Sequence, residues 1–230
     1  MRDLRTYINE SFKLGKNKVK TEEDDFVDLG LPSGTLWCKH NVGATCGSDA
    51  KSWYGDYFMW GDIEPATNKR CNWTNYKYAV NNYNELNKYC PDDKTDYWDG
   101  KGNPDNKLTL DIEDDIARAN IGRYCNMPTK DDIQELIDNT TNKWVKDYNN
   151  IQGLNGILFT SNKNSNTLFI PAAGHRIGDS IDSIGFEIGV WSSILCADDP
   201  EFAFIYCSTY FTRTKFGKRN FGYSVRAVIN

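Results

Sequence analysis

The chain has 230 residues, a formal net charge of −5 and a hydrophobic fraction of 39%. This length supports one large domain or two small ones, and the composition is typical of a globular protein. No apolar run approaches the roughly 20 residues that a membrane-spanning helix needs, and the negative charge disfavours binding to nucleic acid backbones.

The first 25 residues have a different pattern from the rest of the chain. Apolar residues recur there at helical spacing and predict an amphipathic helix: Leu4, Tyr7, Ile8 and Phe12. Gly15 would end this helix, and a charged linker follows up to residue 25. Because so short a helix is marginal alone in water, its apolar face needs a partner, in this chain or in another protein.

From residue 26 onward, short β-like runs alternate with turn-forming residues. The runs that predict strands are Phe26–Leu31, Thr35–Cys38, Tyr57–Trp60, Ile157–Thr160, Leu168–Ile170, Val190–Ser193, Phe202–Cys207 and Phe221–Val228. A polar cluster at residues 161–167 separates two of these runs and predicts a hairpin.

Two helices are predicted among the strands. Ile112–Ala119 would begin at Asp111, with acidic residues in its first turn. Lys130–Asn139 would begin with a capping-box-like pair, Thr129 and Asp132.

The segment Tyr76–Asn106 is rich in Asn, Asp and Tyr and has weak periodicity, which predicts a long insertion loop. Five aspartates crowd it: Asp92, Asp93, Asp96, Asp99 and Asp105. Carboxylates at such spacing suit calcium, but no EF-hand pattern is present. A solvated acidic loop is favoured, and calcium binding by residues 92–105 is left open.

The cysteines and histidines limit the chemistry that the chain could carry. There are seven cysteines, no Cys-x-x-Cys pair and only two histidines, which disfavours a zinc site. Cys38 and His40 would share one face of a strand, but no third group is apparent to orient them. The sequence therefore predicts free, mostly buried thiols, no catalytic residue, no metal site and no cofactor.

Three tryptophans in the short β-like runs, Trp37, Trp60 and Trp191, are predicted to belong to the core. Arg226 lies in an apolar terminal run and needs a partner if it is buried. Asp114 or Asp115 is the hypothesis for that partner.

Eight blocks of residues form a recognisable series along the chain. They are Phe26–Trp37, Asn41–Ala44, Tyr54–Gly61, Leu108–Asp115, Met127–Thr129, Phe169–Gly174, Val190–Ser193 and Gly222–Arg226. In this order they resemble the Fibrobacter succinogenes major paralogous domain. The resemblance implies an α+β domain over residues 26–230 with a C-type lectin-like fold, short antiparallel strands and two helices. It implies a cell-surface or binding module rather than a particular activity.

The resemblance also implies two kinds of site, a lectin calcium site and an oxidase cysteine pair. The chain lacks the sequence pattern of both. A lectin calcium loop would read Glu-Pro-Asn or Gln-Pro-Asp, whereas this chain has Glu64-Pro65-Ala66 and no Trp-Asn-Asp strand. The related formylglycine-generating oxidases have a close-spaced cysteine pair, which Cys196 and Cys207 do not match. Calcium-dependent sugar binding at residues 64–66 and oxidase activity are therefore not predicted.

The motif Leu4-x-x-Tyr7-Ile8-x-Glu10 resembles the short capsid-targeting leaders of some tailed-phage virion proteins, including those of crAss-like phages. This resemblance implies a virion protein, made in the host cytoplasm, whose N-terminal helix docks on other virion proteins in many copies. The alternative is an adhesion or ligand-binding module of a bacterial cell surface.

Basic and aromatic residues late in the chain are the candidate ligand-binding residues. They are His175, Arg176, Tyr210, Phe211, Arg213 and Lys215. Such a patch suits a host glycan or an acidic surface protein. The loops expected to carry binding are Tyr76–Asn106, His175–Ile188 and Tyr210–Asn220.

Overall fold

The computed structural model describes residues 25–208 and 212–230, in which small antiparallel sheets are combined with few, short helices. The strands are β1 (Phe26–Asp28), β2 (Leu36–Asn41), β3 (Thr140–Val145), β4 (Gly156–Ser161), β5 (Thr167–Pro171), β6 (His175–Ile177), β7 (Ser180–Asp182), β8 (Ile188–Leu195), β9 (Phe202–Ser208), β10 (Thr212–Lys218) and β11 (Arg226–Ile229). The α-helices are α1 (Lys51–Tyr54), α2 (Ile116–Asn120) and α3 (Lys130–Asp138). The 3-10 helices are Ala66–Asn68, Trp73–Asn75, Thr95–Tyr97, Ile112–Asp114 and Tyr148–Asn150. None of the helices in these two ranges has the length and hydrophobicity that crossing a bilayer requires.

The strands form three three-stranded sheets and one separate hairpin. The sheet orders are β1-β2-β11, β10-β9-β8 and β3-β4-β5, and β6 pairs with β7. The predicted hairpin is confirmed as β4 and β5, in which Ile157 lies opposite Ile170. In the first sheet β2 lies between the earliest and the latest strand described, so the two ends of the domain are held by the same strand.

Three predicted strands are wrong in extent. The predicted strand Phe26–Leu31 ends at Asp28. Residues 57–60 form only one bridge, between Phe58 and Tyr223, because Gly61 turns the chain with a φ of 73°. Residues 222–224 pair with three different partners, so a ladder begins only at Arg226.

The helix α3 begins as predicted. The Thr129 hydroxyl accepts a hydrogen bond from the Asp132 N–H, and Asp132 caps the Thr129 N–H in return. The prediction of one helix over Ile112–Ala119 is wrong, because Asp115 is extended and divides it into a 3-10 helix and α2. Asp115, and not Asp111, is the residue that caps α2, accepting from the Arg118 N–H at 2.9 Å.

The three predicted core tryptophans are confirmed as buried. Two of them form reciprocal hydrogen bonds between the 57–60 segment and β8. The Trp60 indole donates to the Ser192 carbonyl at 2.8 Å, and the Trp191 indole donates to the Phe58 carbonyl at 2.7 Å. Both indoles thus bury a large ring and still satisfy their N–H groups.

Arg226 is fully buried, but the hypothesis of a carboxylate partner is wrong. Among the described residues its guanidinium donates to neutral oxygens, those of the Asn41 side chain, the Cys38 carbonyl and the Phe169 carbonyl, at 3.0 to 3.2 Å. Burial lowers the pKa of Arg226 to about 10, which leaves it charged at neutral pH. Since Cys38 is in β2 and Phe169 in β5, this side chain joins two sheets.

Arg219 is a second fully buried cation, and it holds the irregular part of the chain. Its guanidinium donates to the Tyr76 hydroxyl at 2.9 Å and to the carbonyls of Tyr89, Pro200 and Lys88 at 3.0 Å. The same group lies 5.0 Å from the ring centroid of Trp60. The cation–π contact and the four hydrogen bonds together replace the hydration that the Arg219 guanidinium loses on burial.

The segment Tyr76–Asn106 is irregular as predicted, but it is not simply a surface loop. Several of its side chains are buried in the core: Tyr76, Tyr78, Leu86, Tyr89 and Cys90. The sequence pattern is weakly periodic because these residues pack one by one against the core rather than along a ladder.

We expect Arg219→Lys to lower the free energy of unfolding by about 3 kcal/mol, because a lysine ammonium cannot reach four acceptors with the fixed fork of a guanidinium. The matched control is Arg70→Lys, since Arg70 is 64% exposed in its pair with Asp179 and should change stability by no more than about 0.5 kcal/mol. Urea unfolding measures both. Equal losses in the two variants would contradict the role of Arg219.

Candidate functional site

Three aromatic side chains form a surface group that we call the aromatic cluster: Trp73, Tyr83 and Tyr97. The ring centroids of Trp73 and Tyr83 are 6.5 Å apart, and those of Tyr83 and Tyr97 are 6.1 Å apart. Tyr83 is 41% exposed, and the other two side chains are partly buried. The Tyr83 ring is therefore open to solvent, while Trp73 and Tyr97 are partly covered by the protein.

Short turns, and not strands, position the aromatic cluster. Trp73 begins a 3-10 helix that Asn72 caps, its side-chain oxygen accepting from the Asn75 N–H at 2.9 Å. Tyr97 ends another, and its carbonyl accepts from the Leu86 N–H at 2.8 Å. The rings of Trp73 and Tyr97 thus belong to 3-10 helices whose backbone is fixed by these hydrogen bonds.

Exposed amide side chains flank Tyr83 in the sequence. They are Asn81, Asn82, Asn84 and Asn87. Aromatic rings offer a stacking surface for the C–H faces of a ligand, and amides offer both donors and acceptors to hydroxyl groups. This combination suits a ligand rich in hydroxyls.

An ionic network around the buried Asp114 carboxylate lies next to this segment. The Lys88 ammonium contacts Asp111 at 2.7 Å and also the Asp114 carboxylate, to which the Tyr89 hydroxyl donates as well. Burial alone would raise the pKa of Asp114, but the hydrogen bonds it accepts, from Lys88 foremost, outweigh burial and hold that pKa well below its usual range. Asp114 is therefore ionised at neutral pH.

The same carboxylates raise the question of a metal ion. One oxygen each of Asp111, Glu113 and Asp114 lies within 4.8 Å of the others. The Lys88 ammonium already lies among them, 3.7 Å from Glu113 in addition to its two closer contacts. A side-chain cation thus compensates these charges, and the cluster gives no reason to propose a metal.

The aspartates of residues 92–105 differ in their surroundings. Asp92, Asp93 and Asp96 are exposed, in agreement with a solvated acidic loop. Asp99 and Asp105 depart from that prediction: the Asp99 side chain is only 7% exposed, and the Asp105 carboxylate accepts hydrogen bonds from the N–H groups of Tyr89 and Cys90, both at 2.9 Å. The role of Asp105 is to fix a turn of the backbone.

The structure places two predicted ligand-binding residues, His175 and Arg176, against residues 221–223. The His175 ring stacks on Tyr223 with centroids 5.4 Å apart, and its Nδ1 lies 3.5 Å from the Glu187 carboxylate. The Arg176 N–H donates to the Gly222 carbonyl at 2.7 Å. The His175 side chain is only 15% exposed, so packing accounts for its position without a ligand.

The other predicted site residues are only partly within the described residues. Tyr210 and Phe211 lie outside them, as does the predicted docking helix with Leu4, Tyr7, Ile8 and Phe12. Arg213 and Lys215 are in β10, where the register pairs them with Cys207 and Ile205.

The β6–β7 hairpin within the predicted loop His175–Ile188 exposes apolar side chains, as does the chain that follows it. They are Ile177, Ile181, Ile184 and Phe186, of which Phe186 is 69% exposed. Since paired residues share a face, Ile181 lies on the face of Arg176, and Ile177 on that of Ser180. The apolar side chains of the hairpin therefore do not all lie on one face.

Six of the seven cysteines are buried, as predicted, and none forms a disulfide within the described residues. The His40 ring contacts Cys46, whose sulfur lies 3.0 Å from Nδ1. Burial raises the pKa of the Cys46 thiol and lowers the pKa of His40, so both groups are neutral near pH 7. A neutral thiol beside a neutral imidazole is a poor nucleophile.

Comparisons of the chain with family models, with curated proteins and with solved structures gave no match. The resemblance of residues 26–229 to the Fibrobacter succinogenes major paralogous domain therefore stays a prediction. The same holds for the resemblance of residues 4–10 to phage leaders.

Sequence reasoning named the loop that carries Tyr83 and Tyr97 but neither residue, and it missed Trp73. The available signal was the density of aromatic and Asn residues between 72 and 98. That density does not separate exposed rings from buried ones, because Tyr76 and Tyr78 in the same stretch are in the core.

We expect Asp114→Asn to lower the free energy of unfolding at pH 7 by about 3 kcal/mol, because it leaves the Lys88 ammonium without its closest buried partner. The folded-state pKa of Asp114 lies below its ordinary 3.8, so its ionised form contributes stability that is present above that pH and is lost as the pH falls. The variant should therefore lose less stability than the parent on acidification.

The control for this prediction is Glu113→Gln, one residue away, whose parent side chain is 72% exposed. Urea unfolding at neutral and acidic pH measures both variants. If Asp114→Asn keeps the parent's pH dependence, Asp114 is not the titrating group.

Proposed function

We propose that the chain is a non-enzymatic, virion-associated binding protein of a phage that infects Bacteroidota. Its N-terminal helix would dock on other virion proteins, and residues 26–230 would form a C-type lectin-like domain that displays a binding surface. The ligand class is a host surface glycan or glycoprotein. Many copies on one particle would compensate for a weak individual affinity.

The aromatic cluster is the observation that carries the binding role. Tyr83 is exposed, yet the segment that holds it is tied to the core through Arg219, which donates to the carbonyls of Lys88 and Tyr89. A rigid frame lowers the entropy lost when the exposed rings bind a ligand. The exposed amides that flank Tyr83 in the sequence suit the hydroxyl groups of a sugar.

The thiol environments support a role without catalysis. Burial raises the pKa of Cys71 to about 11 and that of Cys125 to about 12. These sulfurs stay protonated at neutral pH and lack the thiolate that nucleophilic or redox chemistry requires. Their burial is that of ordinary core residues.

The alternative, an adhesion or ligand-binding module of a bacterial cell surface, would use the same domain. It differs in the role of the first 25 residues, which in that case would dock on no particle. The two proposals therefore share the binding experiment and are separated by the docking experiment.

Deletion of residues 1–15 should abolish incorporation of the protein into particles and leave the domain folded, since the apolar residues of the predicted helix all lie in that range. Mass spectrometry of purified particles measures incorporation, and the far-ultraviolet circular dichroism of the truncated protein checks its fold. Unchanged incorporation would overturn the docking role.

Tyr83→Ala should weaken binding to host cells about tenfold, or about 1.4 kcal/mol, because it removes the most exposed ring of the aromatic cluster. The matched control is Leu108→Ala, since Leu108 is 40% exposed and lies outside the cluster. Arg213→Ala tests the basic residues of β10 in the same assay. Loss in Arg213→Ala alone would move the binding surface from the cluster to β10.

A further inference from the structure

A cleft of about 350 Å³ lies beside the last strand, far along the sequence from the aromatic cluster. It is lined by Arg118, Arg123, Tyr124, Asn126, Ile229 and Asn230. Arg118 comes from α2 and Ile229 from β11, and the backbone of Asn126 is bridged to Val228. Two regular elements, α2 and β11, thus contribute to its walls, and the side chains that line it are partly or fully exposed.

The two guanidinium groups in this cleft use only part of their hydrogen-bonding capacity. Arg118 donates from Nη2 to the Asn126 side-chain oxygen at 2.8 Å, while its Nε is buried and has no hydrogen-bond partner among the described residues. Arg123 is exposed, lies over the Tyr124 ring at 4.6 Å and donates to the Tyr124 hydroxyl. A buried guanidinium N–H without an acceptor is costly, and a ligand oxygen would be stabilising there only if the cleft wall moved to admit it, because this atom is closed to solvent.

Neither guanidinium forms a salt bridge within the part of the chain that the structure describes. No carboxylate oxygen in residues 25–208 or 212–230 lies within 4.0 Å of Arg118 or Arg123. Asp115 is near Arg118, but its two oxygens accept from the N–H groups of Arg118 and Met127. The cleft therefore contains two guanidinium groups, of which Arg118 lies near the buried Asp115 carboxylate and Arg123 is exposed.

We infer that this cleft binds the carboxylate of an acidic monosaccharide. A planar carboxylate matches the fork of a guanidinium and can accept two parallel hydrogen bonds. The side-chain amides of Asn126 and Asn230 offer N–H donors for the sugar hydroxyls, whereas their oxygens already accept from Arg118 and Thr35. The volume is at the lower end of the range for small-ligand sites, which suits one sugar ring. This site is separate in its residues from the aromatic cluster, so it does not depend on the function proposed for that cluster.

The test is titration of the full chain, labelled with nitrogen-15, with glucuronate, and with glucose as the neutral counterpart. We expect saturable shifts of the Arg118 Nε signal and of the Asn126 and Asn230 side-chain amides with glucuronate. Glucose should bind at least tenfold more weakly. Equal binding of the two sugars, or shifts confined to other residues, would overturn the inference.

Arg123→Gln should weaken glucuronate binding at least fivefold, and because Arg123 is exposed the variant should fold like the parent. Arg118→Lys keeps the charge but loses the fork, so weaker binding in this variant supports bidentate recognition. Arg70→Gln is the control for a general loss of positive charge. Inorganic sulfate should compete poorly with glucuronate, and sulfate that binds as tightly would reduce the cleft to a simple anion site and overturn the assignment of a sugar.

Discussion

Arg219 donates four hydrogen bonds from a fully buried guanidinium, and all four acceptors are neutral oxygens. Burying a guanidinium costs several kcal/mol unless its N–H groups are hydrogen-bonded. A conformation in which one of the four acceptors moves away from Arg219 is therefore less stable. The acceptors belong to Tyr76, Lys88, Tyr89 and Pro200. The first three lie more than 100 residues before Arg219 in the sequence, and Pro200 lies 19 residues before it. The irregular segment is therefore held in one conformation without a strand or a long helix.

Arg226 applies the same principle between two sheets, whereas the Lys88–Asp114 network uses opposite charges. The Arg226 guanidinium keeps its charge near neutral pH, and the oxygens that accept from Arg219 and Arg226 do not titrate there. The carboxylate network does titrate, at acidic pH. The frame around the aromatic cluster thus combines contacts that are insensitive to pH with one set that fails in acid.

Local patterns predicted the parts of the fold that depend on neighbouring residues. The β4–β5 hairpin follows from the polar residues 161–167, and the start of α3 follows from Thr129 and Asp132. Patterns failed where distant residues decide the structure. Asp115 divides a predicted helix because its carboxylate also caps the Met127 N–H, and Arg226 is satisfied by oxygens from β2 and β5. The aromatic cluster was predictable only as a region, because contacts that are distant in sequence decide which of its rings are buried.

The arrangement of β1, β2 and β11 determines how the domain would respond to mechanical force. Both outer strands are antiparallel to β2, so they run in the same direction. A load applied between the segment before Phe26 and the segment after Ile229 would pull the two strands in opposite directions along their axes. The hydrogen bonds to β2 would then be sheared together rather than opened one at a time. Pulling geometry of this kind resists extension more strongly than peeling.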